Sequence, residues 1–152
     1  MKTNLVLFGA LFMLLLVACG KDKFTTKPQV NVKTITPGDA DRGDIVSMQS
    51  RFTDEEGDID SVYVVLKWYD GDVSTRQFDT LRYSFSSYNL PAEPRDGDIF
   101  VKFVNGQIIQ GFTIMQGTPV SKDTTASFGI VLVDRAKNRS DYTESDKIRL
   151  RK

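Results

Sequence analysis

Ile59-Asp60-Ser61-Val62-Tyr63-Val64-Val65-Leu66-Lys67-Trp68-Tyr69 (IDSVYVVLKWY) is the stretch on which the fold turns. Val62, Val64, Leu66 and Trp68 fall on one face of a period-two pattern, and Tyr63, Val65 and Lys67 on the other. Successive side chains of a strand point to opposite sides, so this pattern predicts a strand with one face in a core. The run is rich in β-branched and aromatic residues, which suit a pleated surface. Asp54-Glu55-Glu56-Gly57-Asp58 precedes it and Asp70-Gly71-Asp72 follows it. Both are turn compositions, and the second reads as a hairpin.

The same grammar runs outward in both directions. Gln29 to Thr36 alternates, with Val30 and Val32 on one face, and Pro37-Gly38-Asp39 ends it. Asp44 to Thr53 puts Val46, Met48 and Phe52 on one face, with Ser50 among them. Two shorter strands are predicted over Thr75 to Leu81 and Tyr83 to Tyr88, before a loop marked by Pro91, Pro94 and Gly97. Asp98 to Val104 leads into Asn105-Gly106, a strong hairpin signal, and Gln107 to Met115 should return beside it. Ala126 to Val133 (ASFGIVLV) is almost wholly apolar, as a central strand is, and a last strand falls near Lys147 to Leu150. No long segment shows a helical period. Short strands separated by turns about every ten residues predict an all-β chain. The economical architecture over residues 29–152 is an immunoglobulin-like antiparallel β-sandwich, with a closed barrel as the alternative. Trp68 lies on the third predicted strand, where such sandwiches bury a tryptophan.

The N-terminus has a different grammar. Met1-Lys2-Thr3-Asn4 carries a positive charge, and Leu5 to Ala18 (LVLFGALFMLLLVA) carries none. An apolar run of this length is too short to cross a hydrocarbon core of about 30 Å at about 1.5 Å per residue. It suits the hydrophobic region of a signal peptide spanning residues 1–18.

Leu16-Val17-Ala18-Cys19-Gly20 resembles the lipobox that closes the signal peptide of bacterial lipoproteins. The resemblance implies a diacylglyceryl group on the sulfur of Cys19, cleavage before it and acylation of the new N-terminus. Burial of acyl chains contributes about 0.8 kcal/mol per methylene, and several chains anchor far more firmly than one. Gly20, rather than aspartate, follows the cysteine. By the same resemblance the chain is sorted to the outer membrane, facing the periplasm or the cell surface. Residues 19–28 then form the lipidated cysteine and a polar linker ending in Pro28, with a reach of about 30 Å when extended.

Composition narrows the function. The chain has 152 residues, with 20 basic and 20 acidic side chains, no histidine and one cysteine. A balanced charge supplies no basic field, so nucleic acid is not an expected partner. With the one thiol lipidated, no disulfide can form, and the usual general base and zinc ligand are missing. The serines sit in no nucleophile elbow and no glycine-rich phosphate loop occurs. These features point to a non-catalytic module.

Two stretches carry a second resemblance. Phe52-Thr53-Asp54-Glu55-Glu56-Gly57-Asp58-Ile59 resembles the F-x-D-x-D/E-G-D-I turn of bacterial Ig-like and PKD-like modules. Val133-Asp134-Arg135-Ala136-Lys137-Asn138-Arg139-Ser140 is similar to the V-x-D-x-A-G-N-x-S segment that ends their penultimate strand. Lys137 stands where that pattern has glycine, a departure that bears on the tight turn. The resemblance speaks for the fold and not for an activity.

The candidate sites follow from the turns. Asp54, Glu56, Asp58 and Asp60 cluster in sequence, and a sandwich brings its second–third strand turn to the same end as its last interstrand loop. If Tyr83 to Tyr88 is a strand, so that the strand count between them keeps parity, Asp134, with Asn138 and Asp141, can then approach them, and clustered carboxylate oxygens suit calcium. The spacing excludes an EF-hand loop, since Gly57 comes three residues after Asp54 and not five. The plain alternative is a solvated turn. Phe78, Tyr83, Phe85 and Tyr88 form an aromatic cluster, readable as a sugar-stacking platform or as core packing. The expected partners are the membrane, through the anchor, and a glycan or another envelope protein. A calcium-dependent adhesion or glycan-binding module is one alternative, and a carboxylate-based glycan hydrolase accessory is another.

Overall fold

The computed structural model describes residues 26–70, 73–84, 94–107, 109–111, 113–114 and 122–152, with 73–80 and 113–114 described by their backbone. The signal-peptide and lipidation sites, Cys19 included, lie outside the described residues.

The strands are β1 (Gln29–Thr36), β2 (Asp39–Ala40), β3 (Ile45–Thr53), β4 (Ile59–Asp70), β5 (Val73–Ser84), β6 (Asp96–Val104), β7 (Thr113–Ile114), β8 (Thr124–Asp134), β9 (Thr143–Glu144) and β10 (Ile148–Leu150). They form two sheets, ordered β1-β3-β6-β7 and β2-β10-β8-β4-β5, with β9 also paired to β8. The fold is thus the expected all-β, immunoglobulin-like sandwich. The first strand pairs in one sheet; after Pro37 the chain crosses to the other, where β2 runs parallel to β10. Arg149 and Arg151 donate their backbone N–H groups to the carbonyls of Gly38 and Ala40, each at 2.8 Å.

The period-two reading of β4 holds for its core face, while Val65 on the other face is buried as well. Val62, Val64, Leu66 and Trp68 are buried, opposite Leu132, Ile130, Phe128 and Ala126 of β8. Val46, Met48, Phe52, Val101 and Phe103 face them from the smaller sheet. Phe103 and Phe128 stack across the two layers with centroids 5.2 Å apart. Fully burying side chains of this size contributes about 1.5–3 kcal/mol each, and here nothing covalent supplements it.

Two local expectations are corrected. Thr75 to Leu81 and Tyr83 to Tyr88 do not form two strands: one strand, β5, runs from Val73 to Ser84 beside β4, and residues 85–88 lie outside the described residues. The Asn105-Gly106 hairpin does not form either. β7 lies parallel to β6, and only Gly106, at φ +60°, has the left-handed backbone that the turn type requires of both residues. Asn105 is fully buried instead, and its Nδ2 donates to the carbonyls of Ala40 at 3.0 Å and Arg151 at 3.1 Å. The fold uses it as a bolt between β2 and the end of β10. Lastly, Lys137 does adopt the tight-turn conformation of the glycine it replaces, at φ +72°.

Candidate functional site

The pairing of β4 with β8 builds one end of the sandwich. Ile59 lies opposite Asp134, so the turn before β4 and the loop after β8 emerge side by side. The Arg135 N–H donates to the Asp58 carbonyl at 3.0 Å. The two stretches that carry the Ig-like resemblance therefore meet. Direct strand register brings them together, with no need for a strand over Tyr83 to Tyr88.

Each predicted acidic residue has a distinct place there. Asp54 is 1% exposed. Its Oδ2 accepts the Asp58 N–H at 2.8 Å across Gly57, whose φ of +71° closes the turn. Its Oδ1 is buried without a hydrogen-bond donor, as is Asp58 Oδ1. Burial pushes the Asp54 carboxyl above its ordinary range; the Asp58 N–H opposes this, and the charges of Asp58, Glu56 and Asp134 add to it.

Asp134 is equally buried but fully engaged. Its two oxygens accept the Asn138 N–H and side-chain amide, both at 2.7 Å. Glu56 is exposed. Asp60 turns to the other side of the strand, toward Arg82 and Lys137, each at 3.5 Å. Asp141 is solvent-exposed and pairs with Lys27 at 2.6 Å. Among the described residues, no three acidic side chains converge closely enough to hold a metal by themselves.

The outer face of the larger sheet carries a second constellation that the sequence reading did not single out. Glu144, on β9, accepts the Lys67 ammonium at 2.5 Å, the Tyr69 hydroxyl at 2.6 Å, the Tyr142 hydroxyl at 2.9 Å and the Ser127 hydroxyl. Burial works against its ionisation, but these four donors outweigh burial and hold the carboxyl down at about 2. Burial pushes the Tyr142 phenol up to about 12. The same bond to Glu144 holds Lys67 above its ordinary range. The Tyr142 ring lies where a side chain at position 129 would be: a Cβ on Gly129 would come within 2.1 Å of it.

Tyrosine rings on this face carry cations. The Lys67 ammonium lies 4.5 Å from the Tyr142 centroid and that of Lys147 4.3 Å from Tyr69, and Arg82 and Arg139 lie 5.9 and 5.6 Å from Tyr63. The signal was present in the alternate positions of β4, Tyr63, Lys67 and Tyr69, which point away from the core. The partners on β9 and in the loop before it come from more than seventy residues away, and no spacing rule links them. Of the expected aromatic cluster, Tyr83 packs against the core edge. The Phe78 side chain, Phe85 and Tyr88 lie outside what is described.

A groove of about 620 Å³ runs along the start of β1, lined by Lys27, Lys33, Arg51, Phe52 and Asp141 among others. It adjoins the point where the linker enters the body.

No known protein family and no curated protein matches the chain. Some solved structures match the chain at low identity. The sporulation control protein Spo0M from Bacillus subtilis matches with a TM-score of 0.42 at 12% identity, over 84% of this chain and 51% of that one. The chain thus spans about half of that protein's length. A Niemann-Pick type C2 protein from Japanese carpenter ant matches with a TM-score of 0.40 at 10% identity, covering 88% of this chain and 95% of its own. The CARDB domain of a Pyrococcus furiosus protein, solved with di-metal ions, matches with a TM-score of 0.31 at 8% identity, over 87% and 97%. With TM-scores below 0.5, these likenesses assign no family to this chain.

Proposed function

We propose that the chain is a lipid-anchored outer-membrane lipoprotein, and that its Ig-like body is a non-catalytic binding module. The observation that carries the reading is Leu16-Val17-Ala18-Cys19 closing a fourteen-residue uncharged run, directly before a polar linker and a β-sandwich that begins at Gln29. The body works through its surface. The face that offers most to a partner is the outer side of the larger sheet, where Tyr63 and Tyr142 lie among Arg82, Arg139 and Lys67. Tyrosines beside cations fit an acidic glycan or an acidic patch on an envelope protein, because the rings hold the cations in place and the cations attract the anion.

The hydrolase-accessory alternative needs an acid and a base held about 5–10 Å apart, one of them perturbed. Asp54 is perturbed but buried in a turn, and Asp134 is tied to Asn138, so the geometry favours binding over turnover.

The test is fractionation of cells expressing the full chain or its Cys19→Ala variant. The wild-type chain is expected in the outer-membrane fraction, and the variant, still folded, in the soluble or unprocessed fraction. Equal membrane retention of both would overturn the anchor. Surface binding is read separately with Arg82→Ala/Arg139→Ala on acidic polysaccharide. A loss of retention with an unchanged Tm is the expected result.

A further inference from the structure

Three cationic side chains from two distant segments meet beside Tyr63, on the outer face of the larger sheet. The Arg82 guanidinium, from β5, lies 5.9 Å from the Tyr63 ring centroid, and that of Arg139, from the loop after β8, lies 5.6 Å from it. Arg82 and Lys137 both approach a single oxygen, Asp60 Oδ2, at 3.5 Å, so their nitrogens lie within twice that distance of each other. The Ser61 hydroxyl reaches the same oxygen at 3.4 Å. Asp60 sits there because β4 carries an extra residue. Its register with β8 shifts between Ile59 and Ser61 and leaves Asp60 unpaired, and a bulge of this kind re-aims a side chain.

These donors are under-used. Charge-assisted hydrogen bonds run at about 2.7–2.9 Å, well short of the contacts that Asp60 receives. The Arg82 and Lys137 side chains are 55% and 71% exposed, and Arg139 has no carboxylate partner among the described residues. Three cations against one carboxylate leave two positive charges uncompensated on the patch.

The next step rests on the reading of this face as a surface for an acidic glycan, and names the acid. We infer that Arg82, Lys137 and Arg139 form a cradle for the phosphate monoester group of a phosphorylated glycan. Such a group puts up to about two negative charges and three acceptor oxygens on one centre, which matches cations that converge on one point. A uronate chain carries one charge per ring and suits cations spaced in a row. Planar guanidinium forks fit phosphate oxygens, and Lys137 adds a point charge. Asp60 is the internal rival for the same donors.

The full chain, purified in a non-ionic detergent, is titrated calorimetrically with glucose 6-phosphate, glucuronate, inorganic phosphate and glucose. Glucose 6-phosphate is expected to bind about fivefold or more tighter than glucuronate, since it offers the donors a second charge. Inorganic phosphate should bind more weakly than the sugar phosphate, because it lacks a sugar to contact Tyr63, and glucose should not bind. Arg82→Gln and Arg139→Gln should each weaken glucose 6-phosphate about tenfold, the effect of one charged hydrogen bond. Asp60→Asn removes the rival and should tighten binding about two- to fivefold. Asp123→Asn, just before the opposite end of β8, should change nothing, which separates a cradle from the overall charge of the chain. If an arginine variant does not fold, Lys137→Gln, at an exposed turn, takes its place with the same expectation. Equal affinity for glucuronate would overturn the phosphate while leaving the acidic-glycan face, which retention on polysaccharide reads by itself. Equal affinity for inorganic phosphate would overturn the glycan. No saturable binding of glucose 6-phosphate, undiminished binding in the folded arginine variants, or weaker binding in Asp60→Asn would overturn the cradle.

Discussion

The Arg135 N–H donates to the Asp58 carbonyl at 3.0 Å, and this one bond fastens the loop after β8 to the turn before β4. The bond continues the ladder past the last register pair, Ile59 with Asp134. What sequence separates by more than seventy residues thus becomes one end of the molecule. The acidic turn, the Asp134–Asn138 latch and Arg139 beside Tyr63 lie on the segments joined there.

The latch itself is the first prediction. Asp134 accepts two hydrogen bonds from Asn138 while 1% exposed. Asp134→Ala removes both and leaves the loop's N–H without an acceptor. Hydrogen bonds to a charged group contribute about 1.5–3 kcal/mol, so a loss of about 2–3 kcal/mol is expected in urea unfolding, with the denaturant slope unchanged. A loss below 0.5 kcal/mol would mean that the β8 pairing alone fixes the loop (about the scatter of surface substitutions).

Lys137 offers a substitution that should help. Its φ of +72° is left-handed, a region where a Cβ is strained and glycine is not. Its ammonium pairs with Asp60 at 3.5 Å while 71% exposed, a contact of little energetic weight. Lys137→Gly is therefore predicted to raise stability by about 0.5–1 kcal/mol, read as a higher urea midpoint. A lower midpoint would show that the Asp60 pair matters more than the backbone.

The Glu144 network sets the acid response. Its carboxyl titrates at about 2 in the folded chain against an ordinary 4.5. A depressed folded-state value contributes stability that is complete above about pH 5 and fades as pH falls from about 4.5 toward 2. The shift corresponds to roughly 3 kcal/mol. Wild-type unfolding free energy should fall across that window. Glu144→Gln should be less stable at pH 7 and show a flatter acid limb. Parallel acid limbs in the two proteins would remove Glu144 as the source.

Asn105 shows where the sequence was legible and where it was not. The core faces of β3 and β4 followed from alternation, because a half-buried sheet imposes a period of two on its own residues, and the central place of β8 followed from its nearly unbroken apolar run. Asn105-Gly106 carried the composition of a hairpin, but composition reports what a backbone tolerates, not what surrounds it. Here Ala40 and Arg151 supply carbonyls from β2 and from beyond β10, and a fully buried amide satisfies them. Lys137 makes the converse point, since the turn formed although the residue disfavours it. At the acidic end, the meeting of the two loops was legible from sandwich topology only on condition of a strand over Tyr83 to Tyr88, whereas it comes from the direct pairing of Ile59 with Asp134. The division of labour among Asp54, Asp60 and Asp134 was not, because it depends on which donor each carboxylate meets in space.

Asn105→Ala accordingly should cost about 2 kcal/mol, the combined effect of one buried and one partly buried hydrogen bond. Amide exchange should quicken first at Arg149 and Arg151, whose N–H groups hold the parallel β2–β10 pair. Uniform protection in the variant would mean that the backbone bonds suffice.

The lipid anchor proposed at Cys19 can be read by mass spectrometry of the N-terminal peptide from native membranes. The expected peptide begins at Cys19 and carries a diacylglyceryl thioether and an N-acyl chain, with residues 1–18 gone. A peptide that retains Met1 to Ala18 with a free Cys19 thiol would contradict it.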